Sequence, residues 1–513
     1  MKKLICLITT FLIGSISYAQ SWVNDAATLF KNNGAVILTI NMRNFAAVDI
    51  DGNGIIQPKK GEIKGNFLNS IARLDELTRL GINTIHILPI NPVGKRKAYG
   101  SAGNLFSVSD FTSLNPDFKS IESSLIIELQ AKQFIDECHK RNIRVLVELP
   151  AYASYDLYLK KPGLFLKDSR RNSIMPYGQK DLRILNAGTN TKLNSAVYNM
   201  YEKYLDLLMS IGVDGVVVQD PYVKPAKFWA NLISHAKTQN QEFIFIAEMS
   251  PSQKKNASKL VSTVGLKRLL RNGFDGFYGD FNNILDWHNA SDLYNRIHKN
   301  NKYIGNSTNK KSVVGVFSSY KDLSPILVND VYLSKMIIWL NSTLPVNSMY
   351  LDGFQYGDDY DFDWANLKSL DSVTDCDVYF TNRGKFDLYN YSRRPAGMFK
   401  EITTELIKAN KFKLYLSEFV PNGTLYQLKT NFESVFAYAI SDNLTNNSVF
   451  VIGNFDLDNI FNVEIEVPKI NSKFAVNTIK SITVPQIKRN KIYTVIGPYD
   501  IQVFTVKGFS IKP

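Results

Sequence analysis

Cysteine is scarce. The 513-residue chain holds three, and Cys6 lies in an apolar leader at the amino end. Cys138 and Cys376 are what a processed chain would keep. Two cysteines cannot build a disulfide-stapled scaffold; one bridge is open to them, and two free buried thiols are the simpler reading. Long apolar runs are missing as well. Beyond the leader no segment is long and apolar enough to span a bilayer. A continuous basic stripe with interleaved aromatics is also absent. The formal net charge is +13, but its lysines and arginines stand in short separate groups, at 95–97, 254–255 and 310–311. That is a solvated surface and not a nucleic-acid footprint. There is no internal repeat and no low-complexity segment, which excludes a solenoid.

What is present is ordinary globular composition, 45% apolar and 21% charged. The length suits one large α/β domain with a smaller companion. Lys2 and Lys3, an apolar stretch from Leu4 to Ile16 and Ser17-Tyr18-Ala19 make a secretory leader with a small-x-small cleavage site after Ala19. Export to the periplasm, the cell surface or the medium is the expectation.

The rest of the chain is organised around Gly212 to Pro221, GVDGVVVQDP. Gly212 stops a helix, Ser195 to Ser210. Val213, Val216, Val217 and Val218 read as a parallel strand covered on both faces. Gln219 and Asp220 stand at its carboxyl end, where a parallel barrel keeps its chemistry. Further strands are expected at Ala35 to Met42, Asn83 to Leu88, Ile143 to Leu149, Phe243 to Ala247, Phe274 to Gly279, Val313 to Phe317 and Pro345 to Leu351. Helices are expected over 67–80, 131–141, 228–236 and around 336–340. The alternation predicts a (β/α)8 barrel over 20–411. The aperiodic stretch at about 150–194 reads as a short cap after the third strand. From about 412 to 513, alternating runs, the first at Phe412 to Ser417, read as an antiparallel β domain. His86 and Trp229 read as core residues.

The loop after the first strand carries Asp49, Asp51 and Asn53 at alternate positions with Gly52 and Gly54 between and after them. Such oxygens can wrap a hard cation such as calcium. An EF-hand would need an acid at the twelfth position, which is Lys60, so the choice is between another calcium loop and a plain Asx/Gly turn.

With these segments in order, the chain resembles the α-amylase family, glycoside hydrolase family 13. LGINTIHILP (80–89) is similar to that family's second strand and FSVSDFTSLNPDF (106–118) to its tyrosine-led motif. IDECHKRNIRVLVE (135–148), GVDG (212–215) and Ala247-Glu248 follow in the family's order. The resemblance implies action on α-glucan or maltooligosaccharide by retention. One carboxylate attacks the anomeric carbon, an acid protonates the leaving oxygen and a third carboxylate steadies the distorted sugar. By position, the acid falls on Glu248 and the third carboxylate on Asp322. The nucleophile falls on Gln219 and its arginine neighbour on Val217. Glu148 stands where the family has Asp. Tyr152 and Ala153 stand where it has Asn and His, and Lys321 where it has another His. Phe106, Tyr152 and Tyr222 are candidate sugar contacts.

A neutral amide has no negative charge with which to attack. Asp220, one residue on, should point away from Gln219 by strand alternation, which makes it a poor substitute. Three readings stay open: a sugar-binding protein without turnover, a hydrolase or transglycosylase with Glu248 as acid and altered machinery, and a surface interaction scaffold.

Overall fold

The computed structural model describes residues 22–176, 179–255, 261–281, 284–305, 309–315, 325–358, 388–393, 397, 399–468, 474–481, 483–488 and 490–511. The expected leader (1–19), Cys376, Lys321 and Asp322 lie outside the described residues.

Eight short parallel strands form the barrel: Val36–Ile40, Thr84–Ile87, Arg144–Leu149, Gly215–Val218, Ile244–Ala247, Gly276–Tyr278, Ser312–Val314 and Ser348–Leu351. Each pairs with the next, and the eighth returns to the first through Val36 opposite Ser348. A parallel bridge from Val314 to Asn347 closes the ring, with Gly315 N donating to Asn347 O at 2.8 Å. This is the (β/α)8 barrel that the sequence predicts.

Strand alternation decides which residues face inward. Ile37, Leu146, Val217, Ile244, Ile246, Tyr278, Val314 and Met349 form one inner cluster, with Phe30 of the helix Ala26–Lys31 among them. Their neighbours Leu38, Val145, Val147, Val216, Val218, Phe245 and Ala247 join the outer core beneath the helices. The residual lumen cavity is about 10 Å³. Room for no more than about one water makes this a packed core and not a channel. The lumen itself has no room for a sugar.

The helices follow the same logic. Ile127–Lys140 buries Ala131, Phe134, Ile135 and Cys138, one face at helical spacing, and Cys138 is a free thiol. Ser195–Ser210 is a helix with the expected bounds. The expected helix over 67–80 is split into Phe67–Ser70, a 3-10 turn at Ile71–Arg73 and Leu74–Arg79. The cap holds a small antiparallel pair, Tyr152–Ser154 with Leu182–Ile184, and a helix, Tyr155–Lys160, whose first turn is capped by Ser154.

One expected strand is corrected. Phe412 to Ser417 belongs to the long helix Lys400–Phe419. Its buried residues Ile402, Leu406, Ala409, Phe412 and Lys413 recur at intervals of three and four, the helical period, which the short alternating window concealed. The β domain starts at Thr424. A five-stranded antiparallel sheet orders Thr424–Leu428, Val435–Asp442, Asn447–Asn454, Ile501–Lys507 and Ala475–Lys480. A three-stranded sheet of Phe461–Glu466, Lys491–Ile496 and Gln486–Lys488 shares an apolar core with it. Tyr294 ties this domain to the barrel: its hydroxyl donates to Ala437 O at 2.6 Å and accepts from Ala437 N at 3.0 Å.

Candidate functional site

Gln219 sits two residues beyond the lumen-facing Val217, and Glu248 two beyond the lumen-facing Ile246. Val217 and Ile246 are register partners, and Glu248 N donates to Val218 O at 3.0 Å. The register thus places Gln219 and Glu248 side by side at the barrel mouth. Gln219 is 8% exposed and Glu248 is half-buried. Asp322, read as the third carboxylate, is outside the described residues.

The oxygen of Gln219 is already committed. Ala151 N donates to Oε1 at 3.0 Å, and Gln219 N donates to Leu149 O at 3.1 Å. A backbone donor fixes which end of the amide is oxygen, because nitrogen there would meet another donor. The amide nitrogen has no protein partner among the described residues and is not a buried orphan. The surface that Gln219 turns to the mouth is thus an N–H donor.

Asp220 leaves the strand in the left-handed region, φ 38° and ψ 52°. Aspartate tolerates that backbone better than most side chains. Its Oδ2 accepts from the Tyr152 hydroxyl at 2.9 Å. Lys224 completes the junction. It is buried, donates to Ala151 O at 2.5 Å and lies 4.8 Å from the centre of the Tyr201 ring. Burial pulls its ammonium down to about 7, against the pull of Asp220. The Tyr201 hydroxyl donates to Pro150 O at 2.6 Å, and Trp229 Nε1 to Pro221 O at 2.8 Å. The segment after the third strand is thereby stitched to the turn after the fourth, from Leu149 through Tyr152.

Deeper in the barrel, Glu148 Oε2 and His86 Nε2 are 2.9 Å apart, off the line of a well-formed hydrogen bond. Both are buried, at 0% and 1% exposure, and Thr39 Oγ1 lies 3.2 Å from His86 Nδ1. Glu148 pairs in register with Val217, one layer below Gln219. The imidazole of the second strand meets the carboxylate of the third, while the fourth strand offers only the valine.

The expected sugar contacts are all buried. Phe106 is 1% exposed, Tyr152 3%, Tyr222 2% and Glu148 0%. They are held by the core packing around them. Lys224, which sequence reading missed, had no signal beyond being a lone lysine in an apolar turn.

The loop after the first strand gathers Asp49, Asp51 and Glu62, with one carboxylate oxygen of each within 4.8 Å of the others. Asp49 accepts from Gly52 N at 2.9 Å and Gly54 N at 2.6 Å, and Glu62 from Gln57 N at 2.6 Å. The Asn53 oxygen accepts from Ile55 N at 2.8 Å, and Glu62, which the sequence reading did not single out, joins the two aspartates. Lys60 reaches Asp51 at 3.0 Å, and this hydrogen bond, outweighing burial, holds the Asp51 carboxyl below its ordinary range. Three anionic oxygens against one ammonium fit a hard dication.

The eight-stranded parallel barrel with a C-terminal antiparallel domain is the fold of the α-amylases. Over 93% of this chain and 99% of the other, it superposes on an alpha-amylase from Lactobacillus plantarum, TM-score 0.66 at 14% identity. A noncanonic maltogenic alpha-amylase from Thermotoga neapolitana matches 94% of this chain and 99% of its own, TM-score 0.68 at 16% identity. In sequence the chain is similar to the alpha-1,4-glucan:maltose-1-phosphate maltosyltransferase of Picrophilus torridus, 21% identical over 456 residues, 85% of this chain and 65% of that one. The protein of the same name from Arcanobacterium haemolyticum is 22% identical over 200 residues, 36% of this chain and 28% of its own. The chain thus spans 65% of the first relative's length and 28% of the second's. No family model matches it.

Proposed function

We propose that this chain is an exported, divergent α-amylase-family protein of α-glucan metabolism, which binds α-glucan or maltooligosaccharide at the barrel mouth and does not hydrolyse it by retention. One observation carries the reading: at the position that needs an attacking carboxylate stands an amide whose oxygen is spent on Ala151 N. The neighbouring acids do not repair the loss. Asp220 is held by the Tyr152 hydroxyl and Glu148 faces His86. A retaining hydrolase needs two carboxyl groups about 5–5.5 Å apart, one of them ionised against the anomeric carbon. Glu248 supplies one such group, and the amide cannot supply the other. The relatives' names, with their α-1,4-glucan, support the substrate class. Maltoheptaose titrated into the protein in a calorimeter is expected to bind, with no reducing sugar released over a long incubation. Release that Glu248→Gln abolishes would overturn this reading in favour of an active hydrolase.

The Asp49–Asp51–Glu62 cluster is proposed to hold calcium. Calcium is expected to raise the melting temperature and EDTA to lower it, and Glu62→Gln to remove both responses. A melting temperature indifferent to calcium and EDTA rejects the site.

A further inference from the structure

Gln219 has more to offer than the absence of a nucleophile. The residue is 8% exposed, and the two ends of its amide are not equivalent. Oε1 is anchored to Ala151 N, while the amide nitrogen, on the lumen side at the mouth, has no protein partner among the described residues. A ligand that covers this nitrogen sheds its water, which is costly unless the ligand presents an acceptor in return. The clamp through Oε1 prevents the amide from flipping, since a flip would set nitrogen against the Ala151 N–H. The mouth therefore meets a fixed N–H donor.

The position tells what that donor meets. In a retaining hydrolase the residue at this point lies against the anomeric carbon. The two oxygens attached to that carbon in an internal α-glucan residue are the ring oxygen and the glycosidic oxygen. Neither carries a proton, so both only accept. We propose that the Gln219 amide nitrogen donates a hydrogen bond to the ring or glycosidic oxygen of a bound α-glucan, which makes Gln219 a ligand-recognising residue. This rests on the reading of the mouth as an α-glucan site.

A merely structural Gln219 would need only its oxygen. Gln219→Glu keeps an oxygen for Ala151 N and replaces the donor by a second acceptor; Gln219→Met removes both. Maltoheptaose affinity is measured by calorimetry for wild type and the two variants, with melting temperature as the check on folding. The donor role predicts that both variants bind more weakly, by roughly threefold to tenfold, the worth of one hydrogen bond. The clamp-only role predicts full affinity in Gln219→Glu. Should Gln219→Met fail to fold, the side-chain amide resonance that is missing from Gln219→Glu identifies Gln219 in glutamine-labelled wild type. That resonance is expected to move as maltoheptaose saturates the site.

If wild type binds maltoheptaose while Gln219→Glu binds it equally well and the amide resonance stays put, the proposed donor is wrong and the reading of the mouth survives. If wild type binds none, the reading of the mouth fails and takes this proposal with it.

Discussion

Glu148 and His86 place a carboxylate and an imidazole together inside the barrel, at 0% and 1% exposure. Truncating one member of such a buried pair leaves the other where water cannot compensate it, at a cost of about 3–5 kcal/mol, whereas replacing both is far milder. His86→Leu is expected to lower stability by that order in urea unfolding. The double variant His86→Leu, Glu148→Gln should recover much of it. If the two single changes simply add in the double variant, the pair is not coupled. Alternation in the second strand is enough to turn His86 toward the lumen. Its meeting with Glu148 is not legible in sequence, because strand shear decides which residues of adjacent strands share a layer.

At the scale of the element, the turn after the fourth strand is fixed by backbone groups that no motif announces. Gln219, Lys224 and Tyr201 each bond to the segment Pro150–Ala151. Pro221 stops the strand, as the sequence implies, but the left-handed Asp220 and its bond to Tyr152 depend on what the neighbouring loop presents. The same distinction holds in the loop after the first strand. Alternating oxygens point out Asp49 and Asp51, whereas Glu62 joins them through the bridge that pairs Val48 with Ile63. Asn53, two residues from Asp51, turns its oxygen to Ile55 N instead. A short window also misled at Phe412 to Ser417, where period-two alternation concealed a helix that runs to Phe419.

Over the whole molecule, the barrel and the β domain meet through a few specific bonds. Tyr294 both donates to and accepts from Ala437, and the Thr343 hydroxyl lies 2.6 Å from that of Tyr438. Tyr294→Phe removes one partner of two bonds and leaves Ala437 groups unsatisfied. The expected loss is about 1–3 kcal/mol in thermal unfolding, with the fold retained. An unchanged melting temperature would show that the Tyr294 bonds add nothing to the junction.

The sequence by itself determined the alternation of strand and helix, the turn of each strand's residues toward lumen or helices, and the amide at the end of the fourth strand. These follow from local periodicity and residue chemistry, which no neighbour can change. The tertiary structure alone decided which end of the Gln219 amide is anchored, which aromatic rings are buried and which acid joins Asp49 and Asp51. Those outcomes depend on groups far apart in the chain, brought together by barrel closure and shear.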